Sequence, residues 1–355
     1  MAVTSICIFV GARPNFMKVA PLVRVLQNTP AASYSLVYAG SCNDPTLEDQ
    51  LFDDLQLHKP HVCLGVDSVR LNEITSRVMA ELDSFLDSNK TDVVVVVDDL
   101  ASTMAAAIVA KKRGLKLAHL VAGTRSFDPR EPKETNRLVI DALSDYLFTA
   151  GVRSSSVATR EQQSESSQTF MVGNILMDTL RYSLPRLRRP AIDGLDNRYM
   201  VLTLNRRSLL SDTTHLQPLL QQLADSGITV IAPLRDNAAA TVRSLCPDAG
   251  NIRLVKPLPY LEFGWLCAQS LAVVTDSGNV AEEATFIGKP CITLCDYTEH
   301  QETVSVGTNV LVGHDPQRLS QAMETLFSGQ WKKGSLPDRW DGRAAERIVK
   351  VLTNT

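Results

Sequence analysis

The sequence predicts an α/β protein built from two Rossmann-like, doubly wound parallel-sheet domains that face each other across a cleft. Three observations carry this. Short β-branched runs alternate with longer amphipathic stretches through nearly the whole chain, the pattern of βα units feeding a sheet buried on both faces. Each half opens with a strand that runs into a polar turn and a helix. The length of 355 residues, at roughly 150 residues per domain, favours two domains.

In the first half, the runs at 4–10 (TSICIFV), 34–39, 92–97 (DVVVVV), 116–120 (KLAHL) and 145–149 are short and apolar and read as strands. The stretches 15–28, 46–55, 70–88, 101–113 and 133–143 between them read as helices. In the second half, strands fit 199–204 (YMVLTL), 228–233 (ITVIAP), 252–255, 271–275 (LAVVT) and 290–294. Helices fit 213–226, 238–245, 259–267, 279–286, 315–327 and 343–353. Gly173-Asn174 follows a Ser/Gln-rich stretch from Ser154 to Ser167, which places the domains at 1–172 and 173–342, with a C-terminal segment 343–355 packing back on the first.

Composition narrows the function classes. With 44% hydrophobic and 21% charged residues, disorder, collagen and coiled coil are excluded. A net charge of −3 lacks the positive field that nucleic-acid binding needs, though a small anionic ligand remains compatible. No apolar run, Val93 to Val97 included, approaches the roughly 20 residues of a membrane-spanning helix. The N-terminus has no basic region before its apolar run and reads as a first strand. Seven cysteines, an odd number with no CxxC pair, fit reduced, mostly buried thiols, so no metal centre is expected and the cytoplasm is the expected compartment.

In open parallel sheets, ligands sit at the carboxyl ends of the strands, so the turns after each strand are the candidate sites. The first is Gly11-Ala12-Arg13-Pro14 with Lys18, a glycine turn and helix start carrying two cations; it suits a phosphate, or is a tight turn with solvated cations. The second is Asp98-Asp99-Leu100-Ala101-Ser102-Thr103, where Asp98 reads as a helix cap and Asp99 as a cleft residue. The third runs from His119 to Arg125 and on to Pro132-Lys133-Glu134-Thr135-Asn136-Arg137. There His119 reads as a satisfied core histidine, and Glu134 with Arg137 can be a surface ion pair. The fourth is Thr275-Asp276-Ser277-Gly278-Asn279 with Glu282-Glu283, a turn for a phosphate followed by a carboxylate for ribose hydroxyls. No GxxxxGK[ST] and no GxGxxG after the first strand is present, so ATP hydrolysis and NAD-dependent hydride transfer lose support.

Taken together, in order from about residue 5 to 350, these segments resemble the non-hydrolysing UDP-N-acetylglucosamine 2-epimerase family. Val172-Gly173-Asn174 and Gly288-Lys289-Pro290 extend the match. The resemblance implies the GT-B architecture, no cofactor, a homodimer formed through first-domain helices, and UDP-GlcNAc or a related UDP-sugar as ligand. The apolar faces at 70–88 and 101–113 would permit such a dimer, and a buried core explains them equally well. Family members invert C2 by removing its proton and expelling UDP, then returning both from the opposite face. The resemblance assigns catalysis to Asp99, Lys18 and Glu134, and substrate binding to Arg13, Asn205, Arg206, Phe263, Ser277, Gly278 and Glu283.

The match breaks in the proton-transfer set. Val121 stands where the family has a carboxylate in His-Val-Glu-Ala-Gly, and Lys133 where it has the first glutamate of Pro-Glu-Glu. Asn205 replaces a histidine, His300 an arginine, and Asp98 a glycine. Two readings follow: an isomerase of impaired or altered activity using Asp98, Asp99, Glu131 and Glu134, or a sugar-nucleotide-binding homologue without epimerase activity. A glycosyl transferase using the same cations has the least support.

Overall fold

The computed structural model describes residues 3–162, 164–196 and 198–354; Met1 and Ala2 of the first strand's leader, Gln163 of the Ser/Gln-rich stretch, Asn197 and Thr355 lie outside the described residues. The chain divides into two compact units. Unit 1 is Met1–Tyr182 with Asp338–Thr355, and unit 2 is Ser183–Pro337.

Unit 1 strings together β1 (Thr4–Val10), α1 (Asn15–Leu26), β2 (Ala32–Tyr38), α2 (Asp49–Leu55), β3 (Val62–Cys63), α3 (Leu71–Ser88), β4 (Val93–Val97), α4 (Ala101–Lys112), β5 (Lys116–Leu120), α5 (Pro132–Leu143), β6 (Tyr146–Thr149), α6 (Val152–Arg160), β7 (Gln168–Met171) and α7 (Ile175–Ser183). Its seven strands lie in the order β3-β2-β1-β4-β5-β6-β7. Unit 2 contains β8 (Tyr199–Thr203), α8 (Arg207–Ser211), α9 (Thr213–Asp225), β9 (Thr229–Pro233), α10 (Asp236–Leu245), β10 (Ile252–Val255), α11 (Tyr260–Gln269), β11 (Ala272–Thr275), α12 (Gly278–Phe286), β12 (Cys291–Thr293), α13 (Glu302–Ser305), β13 (Asn309–Leu311) and α14 (Pro316–Phe327). Its six strands lie in the order β10-β9-β8-β11-β12-β13, and α15 (Ala344–Thr353) returns to unit 1. Every strand pairing among the described residues in both sheets is parallel.

The central strands explain the apolar runs. All five valines of β4 are buried, and each such side chain contributes about 1.5–3 kcal/mol relative to exposure. Helix α3 buries only Val78, Leu82 and Leu86, one stripe at four-residue spacing. Helix α4 is buried nearly all round, and its small side chains Ala105, Ala106, Ala107 and Ala110 are fully inaccessible. These two apolar faces, considered above as a dimer surface, therefore pack in the core of unit 1 itself.

The unit boundaries fall at Tyr182/Ser183 and Pro337/Asp338 rather than at 172/173 and 342/343. The cause is the anchoring of α7 and the returning segment. Asp178 accepts the first backbone N–H groups of α15 from Ala344 and Ala345, at 3.0 and 2.8 Å, as a helix-capping carboxylate does. Trp340, 1% exposed, donates its indole N–H to the Ala150 carbonyl at 3.0 Å. Elements that the sequence pattern did not announce are the short ones: β3, β7, β13, α6, α7, α8 and α13. β3 has two residues, paired as Val37 with Val62 and Tyr38 with Cys63, which is too short to show a period.

The expectation of seven reduced thiols is corrected by a disulfide between Cys42 and Cys63. Pairing of β2 with β3 brings two residues 21 apart in sequence to a Cα–Cα distance of 5.5 Å, which no local spacing rule reveals. Cys7, Cys267, Cys291 and Cys295 are free and buried, as expected, and Cys246 is half-buried and free. No helix among the described residues is long and apolar enough to cross a membrane. Denaturing alkylation without reductant is expected to modify five cysteines and to leave Cys42 joined to Cys63 on peptide mapping. Modification of all seven would refute the crosslink. Replacing both by serine should lower stability by about 3 kcal/mol in urea titrations, from the loop entropy released.

Candidate functional site

Each sheet has one point where successive connections leave in opposite directions, between β1 and β4 in unit 1 and between β8 and β11 in unit 2. Loops that part at such a point open a crevice at the strands' carboxyl ends. The candidate turns lie there: Gly11–Pro14 and Asp98–Leu100 in unit 1, and Asn205–Arg206 and Asp276–Ser277 in unit 2. At Gly11 any Cβ would come within 2.5 Å of the Ser102 hydroxyl, so the two unit-1 turns pack too closely for another residue.

The unit-1 turn is a shell of carboxylates, each already engaged. Asp98 is not a helix cap, in contrast to the expectation for it. Its backbone takes a left-handed φ of 59°, which aims the carboxylate at Lys18, 2.6 Å from Nζ, and at the Asn15 amide, 2.7 Å away. Asp99, 9% exposed, accepts from Arg137 Nε and Nη2 at 2.8 and 2.5 Å and pairs with Lys133 Nζ at 3.2 Å. Burial pushes the Asp99 carboxyl up, but Lys133 and Arg137 outweigh it and hold the group below its ordinary range.

Glu134 forms a buried pair with Arg137 at 3.2 Å, not a surface one. Its oxygens also accept the backbone N–H groups of Ser126 and Phe127, at 2.9 and 3.2 Å, and the Ser126 hydroxyl at 3.1 Å. Burial raises the Glu134 carboxyl, and these donors more than offset that, so it too is held low. Glu134 thus clamps the 126–127 turn, where Phe127 sits at a left-handed φ of 58°.

His119 is a satisfied core histidine, as its strand position suggested. It is 2% exposed, with Nδ1 2.6 Å from Asp141 and Nε2 3.0 Å from the Asp98 carbonyl, so both ring nitrogens face acceptors. Asp141 is not marked in the sequence, because it lies in the last turn of α5 with no motif around it. It joins His119, the Gly123 N–H at 3.0 Å and Arg125 at 2.7 Å into one buried hub. Val121, where the resemblance calls for a carboxylate, occupies a left-handed φ of 69° beside this hub and offers no proton.

A cavity of about 500 Å³ in unit 1 is lined by Gly11, Tyr38, Asn43, Asp44, Ser68 and Ser102 among others, next to the turns but not by Lys18, Asp99 or Glu134. The Asp44 carboxylate on its wall accepts from the Tyr38 hydroxyl at 2.7 Å. Arg13 is half-buried and contributes to the field at Asp44.

In unit 2 the organising group is Asp276, fully buried and unassigned from the sequence. Its oxygens accept the Asn205 N–H at 2.9 and 2.8 Å and the Arg206 N–H at 2.7 Å, and its carbonyl accepts Arg206 Nε at 2.8 Å. Burial pushes the Asp276 carboxyl up despite these donors. It locks the turn after β8 to the turn after β11, leaving the Asn205 side chain exposed. Ser277 precedes α12 and makes no side-chain cap, and a Cβ at Gly278 would meet open space, so this helix start is accessible. Glu283 accepts from the Tyr260 hydroxyl at 2.9 Å. Phe263 packs half-buried against the core cluster that holds Leu266 and Val273. His300 pairs with buried Glu282 at 3.0 Å.

A helix start that is open and a locked pair of turns can hold a phosphate, while the unit-1 shell presents paired rather than open acid/base groups. The family profile described as UDP-N-acetylglucosamine 2-epimerase matches residues 24–353. A UDP-N-acetylglucosamine 2-epimerase of Methanocaldococcus jannaschii is 31% identical over 98% of this chain and 98% of its own. A UDP-2,3-diacetamido-2,3-dideoxy-D-glucuronate 2-epimerase of Pseudomonas aeruginosa is 30% identical over 97% and 98%. Among solved structures, the M. jannaschii enzyme in complex with UDP-GlcNAc and UDP aligns with a TM-score of 0.87 at 29% identity, over 99% of this chain and 100% of that one. The UDP-GlcNAc 2-epimerase from Neisseria meningitidis bound to UDP-GlcNAc aligns at 0.90 with 26% identity, over the same shares. With the profile spanning most of its length and both parallel-sheet units in place, the chain belongs to the UDP-N-acetylglucosamine 2-epimerase family.

Proposed function

We propose that the chain binds a UDP-sugar and that proton transfer at C2 is impaired. The observation that carries this is the pairing of Asp99 with both Lys133 and Arg137. A carboxylate held by two cations is a poor base, because its affinity for a proton has been lowered, and it is deprotonated at neutral pH and so cannot act as an acid. Glu134 is committed to a turn and Val121 carries no titratable group. Loss of one acid/base group costs about 10²–10⁴ in rate, so several together would leave little epimerisation.

Support for binding comes from unit 2. The accessible α12 start at Ser277 and Gly278 would take the diphosphate, with Arg206 beside it, Glu283 on the ribose and Phe263 on the uracil side. Asn205 would donate its side-chain amide where a histidine once moved a proton. In unit 1, Arg13 and Lys18 are the cations that the resemblance assigns to the substrate, and Lys18 is held in an ion pair with Asp98. Cytoplasmic location and a homodimer complete this reading, and equilibrium sedimentation tests the latter.

Incubation with UDP-GlcNAc in D₂O, with NMR of C2, is expected to show binding without deuterium incorporation. Incorporation at a rate typical of an active epimerase would refute impairment, and absence of any thermal shift with UDP or UDP-GlcNAc would refute binding. The combined variant Asp98→Gly, Val121→Glu, Lys133→Glu, Asn205→His should raise exchange by at least about 10²-fold. For Asp99 the folded value is depressed, so its ion pairs stabilise the fold above the unfolded carboxylate value of about 3.9 and that stabilisation is lost as pH falls through the folded value. Carbon-13 NMR of the Asp99 carboxyl should show its titration midpoint rise in Lys133→Glu; an unchanged midpoint would show that Lys133 does not hold it.

A further inference from the structure

The geometry points to a divalent transition-metal site in unit 2, formed by Asp212, His215 and His314, for an ion of the Zn²⁺ class. One ligand atom from each residue lies within 4.8 Å of the others. Asp212 and His215 face each other across the first turn of α9, with Asp212 Oδ2 2.7 Å from His215 Nδ1. His314 comes from the turn before α14, and its ring centroid lies 5.5 Å from that of His215. Two imidazoles and one carboxylate make a borderline-soft nitrogen and oxygen set that suits Zn²⁺, Co²⁺ or Ni²⁺ over Mg²⁺ or Ca²⁺, and three protein ligands leave a position for water.

The fit needs only side-chain movement. Tetrahedral Zn²⁺ with bonds of about 2.0–2.2 Å places its ligand atoms about 3.3–3.5 Å apart. The His215 and Asp212 side chains are 55% and 39% exposed, so rotation can part their 2.7 Å contact and bring both within reach of His314. Among the described residues the His314 ring has no hydrogen-bond partner, so nothing need be broken for it to ligate. Two helix N-termini, those of α9 and α14, oppose a cation here through their dipoles. Their capping carboxylates, Asp212 and Asp315, set the opposite charge against that.

The other histidines do not offer this set. His119 is buried in a pair with Asp141, and half-buried His300 pairs with Glu282. His58 and His61 stack at 4.5 Å, but His61 Nδ1 accepts the Leu36 N–H and Tyr34 bonds His58. An ion at Asp212 would fasten the junction of α8 and α9, directly after Asn205 and Arg206, to the turn before α14.

Isothermal titration of the chelator-stripped full chain with Zn²⁺ alone is expected to show one saturable equivalent. His215→Ala and His314→Ala should each weaken it at least tenfold, and a His58→Ala/His61→Ala variant should leave it unchanged. Asp212→Asn, which can still accept the capping N–H bond, should also weaken it and so separates ligation from capping. Matching thermal midpoints without metal establish that these variants fold. Zn²⁺ should raise the midpoint of the wild-type chain but not of His314→Ala. No saturable binding, or binding indifferent to His215 and His314, would overturn the assignment.

Discussion

A carboxylate taken out of water stays ionised only if it is paired, and the carboxyl end of the first sheet is organised around that constraint. Asp98, Asp99, Glu134 and Asp141 crowd the ends of β4 and β5, and each has found cations or other hydrogen-bonding partners: Lys18, Arg137 and Lys133, the 126–127 turn, and Arg125 with the His119 ring. Breaking one such buried pair costs about 3–5 kcal/mol, because the remaining charge is left uncompensated. The turns to which the proposal assigns chemistry are therefore also turns that the fold relies on.

That double duty bears on the departures from the family pattern. Asp98, where the resemblance calls for a glycine, carries a negative charge, and Lys18 is the cation that meets it. Lys133, where the resemblance calls for a glutamate, carries a positive charge, and Asp99 is the anion that meets it. The two changes compensate electrostatically, each new charge falling on an existing group of opposite sign. The result is an ion-pair network at the carboxyl end of the first sheet, and on the reading proposed above it is this internal pairing that limits proton transfer.

Much of this was legible in the sequence. The long central strands, the two-sheet architecture and the polar turns after β1, β4, β8 and β11 announce themselves through apolar runs and glycine turns. Three of the four edge strands, β3, β7 and β13, did not, since two to four residues carry little period. The Cys42–Cys63 bridge and the hubs at Asp141 and Asp276 depend on which strand lies beside which, and a linear spacing rule cannot see that. Asp98 was misread as a cap for a related reason: its role depends on a left-handed backbone that turns its side chain towards α1. His119 is legible from its place in an apolar strand although its partners are distant, whereas the local Glu134–Arg137 pair is legible as a pair but not as a buried one.

The return of residues 338–354 to unit 1 makes unit 2, in topological terms, an insertion within unit 1. Helix α15 packs on α1, and Trp340 seals the end of β6, yet both are made only after all of unit 2 has been synthesised. At about 5–20 residues per second, the first sheet waits on the order of ten to thirty seconds for the segment that covers it. During that interval the apolar surface that α15 will cover, lined by α1, is open to water, so early in its life the chain depends on folding order as much as on final stability.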